Sequence, residues 1–227
     1  MSLERIGIIA LGMVAMMIQM VLRRKKYQGA AIWKMILLGF LLTVTGVAGT
    51  MLMFFVESGR FGGTSFFGAV LFVPVLILPA LLLRISYKDI LNLCAPAECL
   101  MLAIMKFDCL ASGCCIGKYL PSLKFQFPSQ MVEMVFGLLV MVALLIIEVR
   151  RKDEHLYAWY LILYGSTRFL LNGFRYGLKP FVWILPNGHF WALVSVIIGI
   201  GWLVCVKMIF IKKPIKGFLS SLLGFIQ

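Results

Sequence analysis

The sequence predicts an all-α, polytopic integral membrane protein of about seven transmembrane helices, with its N-terminus outside and its C-terminus in the cytoplasm. Three observations carry this expectation. Of the 227 residues, 62% are hydrophobic, against roughly 45–50% in soluble domains, and the mean hydropathy is +1.01. Several apolar runs approach or exceed the roughly 20 residues a helix needs to cross a bilayer, and the alternating strands of about ten residues that build a membrane barrel are absent. Basic residues gather in alternate connections.

The spans are justified in chain order. The first, about 5–22, is apolar throughout and is followed by "RRKK" with no small-residue cleavage site, so it is expected to stay as an anchor. The second and third cover about 31–56 and 66–84. The fourth, about 90–105, is the weakest, because it carries Asn92, Pro96 and Glu98, and Pro96 is expected to kink or end a helix there. The fifth covers about 131–149, the sixth about 156–174 with Arg168 in its middle, and the seventh about 189–210. The whole chain, 1–227, reads as a single transmembrane helical domain without internal repeats or low-complexity segments.

The formal charge of +13 has its explanation in topology. Basic clusters follow span one (Arg23, Arg24, Lys25, Lys26), span three (Arg84, Lys88), span five (Arg150, Arg151, Lys152) and span seven (Lys212, Lys213, Lys216). All lie on one side, which the positive-inside rule makes cytoplasmic. The excess charge then serves orientation and attraction to anionic headgroups, and nucleic acid is not an expected partner. The three outward loops, about 57–65, 106–130 and 175–188, hold most of the unusual residues: "ESGRFGGTSFFG", "KFDCLASGCCIGKYLPSLKFQFPSQ" and "RYGLKPFVWILPNG". That asymmetry points to a site near the outer leaflet.

A charge within a bilayer costs at least about 2.5–3.5 kcal/mol on insertion scales. In "WYLILYGSTRFLLNGFR", Tyr164, Arg168 and Asn172 repeat at i, i+4 and i+8, and Arg175 continues the face. Such an arginine either snorkels, pairs with a carboxylate of a neighbouring helix, or holds an anionic headgroup, since guanidinium matches phosphate bidentately. The headgroup reading is favoured. Glu133 opens span five on the same face as Gln130, as counter-ion of Arg168, as general base, or as a charge favoured by the helix dipole. Of the two histidines, His155 lies in a cytoplasmic turn. His189, at the outer start of span seven, is either a proton acceptor or an interface residue beside Phe190 and Trp191.

Residues 109–120, "CLASGCCIGKYL", hold three of the six cysteines. The spacing of Cys109, Cys114 and Cys115 fits no common zinc pattern, and neither a metal nor another cofactor is expected. Adjacent cysteines bridge each other only with strain, whereas Cys109 can reach Cys114 or Cys115 on an oxidising outer face. Free thiols packed at a helix end are the plainer alternative. Gly113 and Gly117 let backbone approach a ligand or another helix closely.

Taken in order, these pieces resemble the prolipoprotein diacylglyceryl transferase family. The stretches that carry the resemblance are "FGGTSFFGA", "APAECLMLAIMKFDCLASGCCIG", "FPSQMVEMVFG", "YGSTRFLLNGFR" and "LPNGHFWALVSVIIG", together covering roughly 45–200. The resemblance implies an enzyme of the bacterial cytoplasmic membrane. Its reaction moves the diacylglyceryl unit of phosphatidylglycerol to the lipobox cysteine thiol of a preprolipoprotein, with glycerol phosphate as leaving group. It places Arg168 on the family's essential arginine and Arg175 on the next one, and Gln130 and Glu133 on its Gln/Glu pair. The expected site is thus Arg168, Glu133, His189 and Cys114 for catalysis. Lys106, Arg175, Gln130, Tyr164, Asn172, Gly62, Gly63, Gly113 and Gly117 are expected around the phospholipid headgroup. Departures from the pattern are Phe67 for a loop histidine, Lys106 for an arginine, Cys109 for an asparagine, Cys114 and Asn172 for glutamates, and His189 for a glutamine. They leave open a divergent relative that moves a lipid or acyl group to another acceptor, and a non-catalytic component or transporter on the same scaffold.

Overall fold

The structure, a computed structural model, describes residues 3–27, 31–121, 124–151, 155–175, 180–182 and 185–223, with side chains described at all of these except 3–5, 180–182 and 209–223. Lys152 lies outside the described residues, as do parts of the third outer loop and the side chains of Lys212, Lys213 and Lys216. The protein is about 81% helical, which makes it all-α. Seven α-helices follow one another among the described residues: α1 (Leu3–Arg23), α2 (Ile32–Ser58), α3 (Phe67–Leu76), α4 (Tyr87–Ala111), α5 (Ser129–Arg150), α6 (Leu156–Asn172) and α7 (Asn187–Leu223). Among the described residues, five stretches, Ile6–Lys26, Ile32–Ser58, Tyr87–Ala111, Ser129–Arg150 and Asn187–Met208, are long and apolar enough to cross a membrane.

The third expected span is not one α-helix. Pro74 sits inside α3, and Pro79 follows in a 3₁₀ turn, Leu78–Leu83, that completes the segment. Each proline removes an amide donor and crowds the preceding turn, so the run tightens instead of continuing. The fourth segment departs in the opposite sense, because α4 runs unbroken through Pro96. Proline leaves the carbonyl four residues earlier without its helical donor, and that carbonyl is Asn92's. Arg23 supplies the missing donor from α1: its Nη2 donates to Asn92 O at 2.8 Å and its Nη1 to Leu93 O at 3.1 Å.

The same guanidinium pairs with Glu148 of α5, 2.6 Å from Nη2 to Oε1, and Tyr27 donates to that carboxylate as well. Asn92 in turn accepts the backbone N–H of Leu156 at 2.8 Å and so caps α6. One polar knot therefore ties the end of α1, the start of α4, the end of α5 and the start of α6. The buried Tyr27 hydroxyl within it has its pKa raised, chiefly by burial.

Between these ends α4 forms the centre of the molecule, packed against α1, α5 and α6, with Ile90, Leu91, Leu93, Cys94, Ala95 and Ala97 almost fully buried. Glu98, which stood without a partner in the sequence, meets the Tyr157 hydroxyl at 3.1 Å. Large apolar side chains such as Leu11, Leu82, Leu170 and Ile197 face outward, the surface a bilayer would cover.

A close backbone contact joins α2 to α3. A Cβ placed on Gly49 would stand 2.6 Å from the carbonyl oxygen of Gly68, so the two backbones touch where no side chain fits. Gly49→Val is expected to destabilise the protein by about 1–3 kcal/mol through overpacking, read as a lowered melting temperature in detergent. Gly7→Ala, where a Cβ meets nothing within 4 Å, serves as the control and is expected to leave stability unchanged or slightly raised.

Candidate functional site

At the opposite end from the Arg23 knot, four charged side chains converge from three helices and a loop. Lys106 comes from the last turns of α4, Glu133 from the first turns of α5, Arg168 from α6, and Arg175 from just beyond α6. The Glu133 carboxylate pairs with Arg168 Nη1 through Oε1 and with Lys106 Nζ through Oε2, and Arg175 Nε lies 3.8 Å from Oε1. Ser129 Oγ adds a contact at 3.3 Å. Lys106, Glu133 and Arg168 are all buried. Glu133 is thus the shared counter-ion of three cations, and three positive charges against one negative leave the cluster cationic. In a low-dielectric setting that imbalance seeks a further anion.

Along α6 the stripe Tyr164, Arg168 and Asn172 carries buried polar atoms with no partner among the described residues: the Tyr164 hydroxyl, Arg168 Nε, and both amide atoms of Asn172. A buried donor left unpaired costs about 1–3 kcal/mol, so three in a row on one face mark a surface built for something polar. Phe66 and Phe67 hold the Tyr164 ring, at 5.7 and 5.8 Å between ring centroids. Asn172 lies against Gly188 of α7, where a Cβ would come within 2.6 Å of its Nδ2.

A cavity of ≈ 670 Å³ opens beside the cluster. Apolar residues of α1, α2 and α4, among them Met16, Leu42, Met51 and Met105, form its walls, and Lys106, Arg168 and Arg175 stand at its polar end with Cys109 and Cys115. Glu57 and Asn187 also border it, and Ser65 Oγ donates to Glu57 Oε1 at 2.8 Å. Neither residue stands out in the sequence: Glu57 reads as a loop charge at the end of α2, and Asn187 as the residue before a turn glycine. Their role appears only when the ends of α2 and α7 meet over the cavity.

The other expected site residues are placed as follows. Gln130 donates from Nε2 to Cys114 O at 2.5 Å, fastening the cysteine loop to α5. Gly113 takes the left-handed conformation, φ 65°, and so does Cys115, φ 59°; that curl lets Cys114 N–H return to Cys109 O at 3.0 Å. Gly117 bridges backbone to Arg175 and lies against Phe127, where its missing Cβ makes room. Gly62 and Gly63 sit in the α2–α3 connection, Gly63 against the Phe54 ring. Cys114 and His189 do not border the cavity; the His189 ring stands edge-on to Phe169 at 5.0 Å, with Nδ1 lacking a partner among the described residues.

Two short hairpins close this end. β1 (Tyr119–Leu120) pairs with β2 (Phe125–Gln126), and β3 (Pro180–Val182) with β4 (Leu185–Pro186). Lys118 N–H donates to Phe174 O at 2.8 Å, and Phe127 stacks on Phe174 at 4.8 Å. The loop with the cysteines and the segment with Arg175 are therefore stitched together. The Cys115 thiol is held down to about 5 by its contact with Cys109, and further by Lys106 and Arg175, against the effect of burial.

A family model described as prolipoprotein diacylglyceryl transferase matches residues 6–205. No curated protein matches the chain.

Proposed function

The chain belongs to the prolipoprotein diacylglyceryl transferase family, a transferase family of lipoprotein biosynthesis, and with its several apolar helices it is a multi-pass membrane protein; from that premise we propose that it transfers the diacylglyceryl group of phosphatidylglycerol to a lipobox cysteine thiol at the outer face of a bacterial cytoplasmic membrane. The observation that carries this reading is the cationic cluster with its unpartnered stripe at one end of a large apolar cavity. A phospholipid is the molecule with both halves of that pattern, a phosphate beside long hydrocarbon.

In this reading Arg168, Arg175 and Lys106 hold the phosphate, and their attraction grows as the ester C–O bond breaks and charge collects on the departing glycerol phosphate. Tyr164 and Asn172 offer hydrogen bonds along the same face. Glu133 is a positioning residue, since its oxygens are engaged by the cations it orients. The seven-crossing arrangement, with α3 and its 3₁₀ turn acting together as one crossing and the N-terminus outside, is part of the same proposal. It draws support from the way alternate helix ends converge: those near Arg23, Arg150 and Arg151 at the Arg23 knot, and those of α2, α4 and α6 at the cavity.

The test is transfer by the purified chain from phosphatidylglycerol vesicles to a lipobox peptide, together with rescue of a strain depleted of its own diacylglyceryl transferase. A thioether-linked diacylglyceryl peptide is expected. A peptide left unmodified, with no rescue by a well-expressed chain, overturns the reading.

A further inference from the structure

We infer that Cys109, Cys114 and Cys115 form a binding site for one thiophilic divalent cation of the zinc type, with an open coordination position toward the cavity. The three Sγ atoms all lie within 4.8 Å of one another, and Cys109 and Cys115 are 4.0 Å apart. Thiolates at about 2.3 Å from a tetrahedral zinc stand about 3.8 Å from each other, so small side-chain rotations complete the set. A disulfide asks for much more, because sulfurs must close to about 2.05 Å.

The backbone is shaped for this convergence. The loop returns on itself through the Cys114 N–H bond to Cys109 O, and it does so with two left-handed residues. At Gly113 that conformation is free of side-chain cost; at Cys115 it is an outlier of the kind that surrounding structure must hold in place. Gln130 fastens the loop from outside through Cys114 O. Charge fits as well: three thiolates with a divalent cation carry one net negative charge, and Lys106 and Arg175 border the same cavity as Cys109 and Cys115.

Three protein ligands with an open fourth position are the arrangement of catalytic rather than structural zinc. The open side faces the cavity, since Cys109 and Cys115 border it. Resting on the transferase reading, the fourth ligand is the acceptor's cysteine sulfur. On coordination its thiol gives a proton to solvent; its lone pair then forms the S–C bond to the glyceryl carbon while the C–O bond to phosphate breaks, the electron pair leaving with glycerol phosphate. This supplies thiol activation in a site where Glu133 is engaged by three cations.

The experiment uses the full chain in detergent, reduced, with the exposed lone Cys205 replaced by serine. Titration with Cd²⁺ is expected to give one equivalent bound, with a thiolate-to-metal charge-transfer band that Zn²⁺ displaces and that Cys109→Ser and Cys115→Ser abolish. Because those variants can fail to fold, alkylation of the unsubstituted cysteines followed by mass spectrometry provides an independent reading: Zn²⁺ is expected to protect residues 109, 114 and 115. Absence of the band, or equal alkylation with and without Zn²⁺, overturns the site. Chelator-stripped enzyme is expected to lose transfer at least about tenfold and regain it with Zn²⁺; equal transfer without metal overturns the activating role. One bound equivalent with no transfer in either form upholds the site and overturns the transferase reading.

Discussion

Arg168→Ala is expected to reduce lipid transfer to a lipobox peptide by about 10²–10³-fold or more, the loss that follows removal of a preorganised donor to developing charge. Arg168 is the point where the site's features meet. It shares Glu133 with Lys106 and Arg175, it carries an unpartnered buried Nε, and it borders the cavity. The alanine variant keeps Lys106 and Arg175 around Glu133, so the fold is expected to survive and the effect to fall on the chemical step more than on lipid binding. Arg168→Lys is expected to recover only part of the activity, because an ammonium is a point charge without the planar fork. Initial rates against vesicle phosphatidylglycerol separate the two effects. Activity within about twofold of the unsubstituted protein would remove Arg168 from the mechanism.

Glu133→Ala is expected to be the most damaging single substitution for stability, at about 3–5 kcal/mol, because it leaves buried cations without their counter-ion. Three cations lose a common partner at once, two of them buried with it. Glu133→Gln keeps the shape and some hydrogen bonding and is expected to cost less. Thermal unfolding in detergent measures both, and added phosphatidylglycerol is expected to raise both melting temperatures in part, since in this reading its phosphate binds the same three cations that have lost their carboxylate. An alanine variant melting with the unsubstituted protein would mean the cations have other partners.

Hydropathy alone places the helical segments, because a run of apolar residues declares itself whatever it packs against. The polar exceptions do not declare themselves in this way. Asn92, Pro96 and Glu98 weaken the fourth segment in the sequence, yet each is satisfied by a residue far along the chain: Leu156 N–H for Asn92, Tyr157 for Glu98, and Arg23 for the carbonyl that Pro96 leaves unpaired. The reverse holds for the third segment, where Pro74 and Pro79 look harmless in a continuous apolar run but divide it. The Tyr164–Arg168–Asn172 stripe is legible because helical spacing makes a face from local sequence. The gathering of Lys106, Glu133 and Arg175 around it depends on how α4, α5 and the segment after α6 dock, which no short window contains. The cysteine trio shows the same limit: its spacing matches no familiar metal pattern, and only the left-handed turns at Gly113 and Cys115 bring the sulfurs together.

The two polar knots are both anchored on α5, one on Glu133 and the other on Glu148. Fifteen residues of α-helix span about 22 Å, whereas the hydrocarbon layer of a bilayer is about 30 Å thick. The helix is thus a ruler shorter than the oil it stands in, and tilt shortens it further. At least one of its marked ends must lie below the depth at which lipid headgroups normally float. If that end is the one beside the cavity, a lipid reaching Arg168 sinks its phosphate out of the interface. The bilayer's own thickness then enters the energetics of substrate capture.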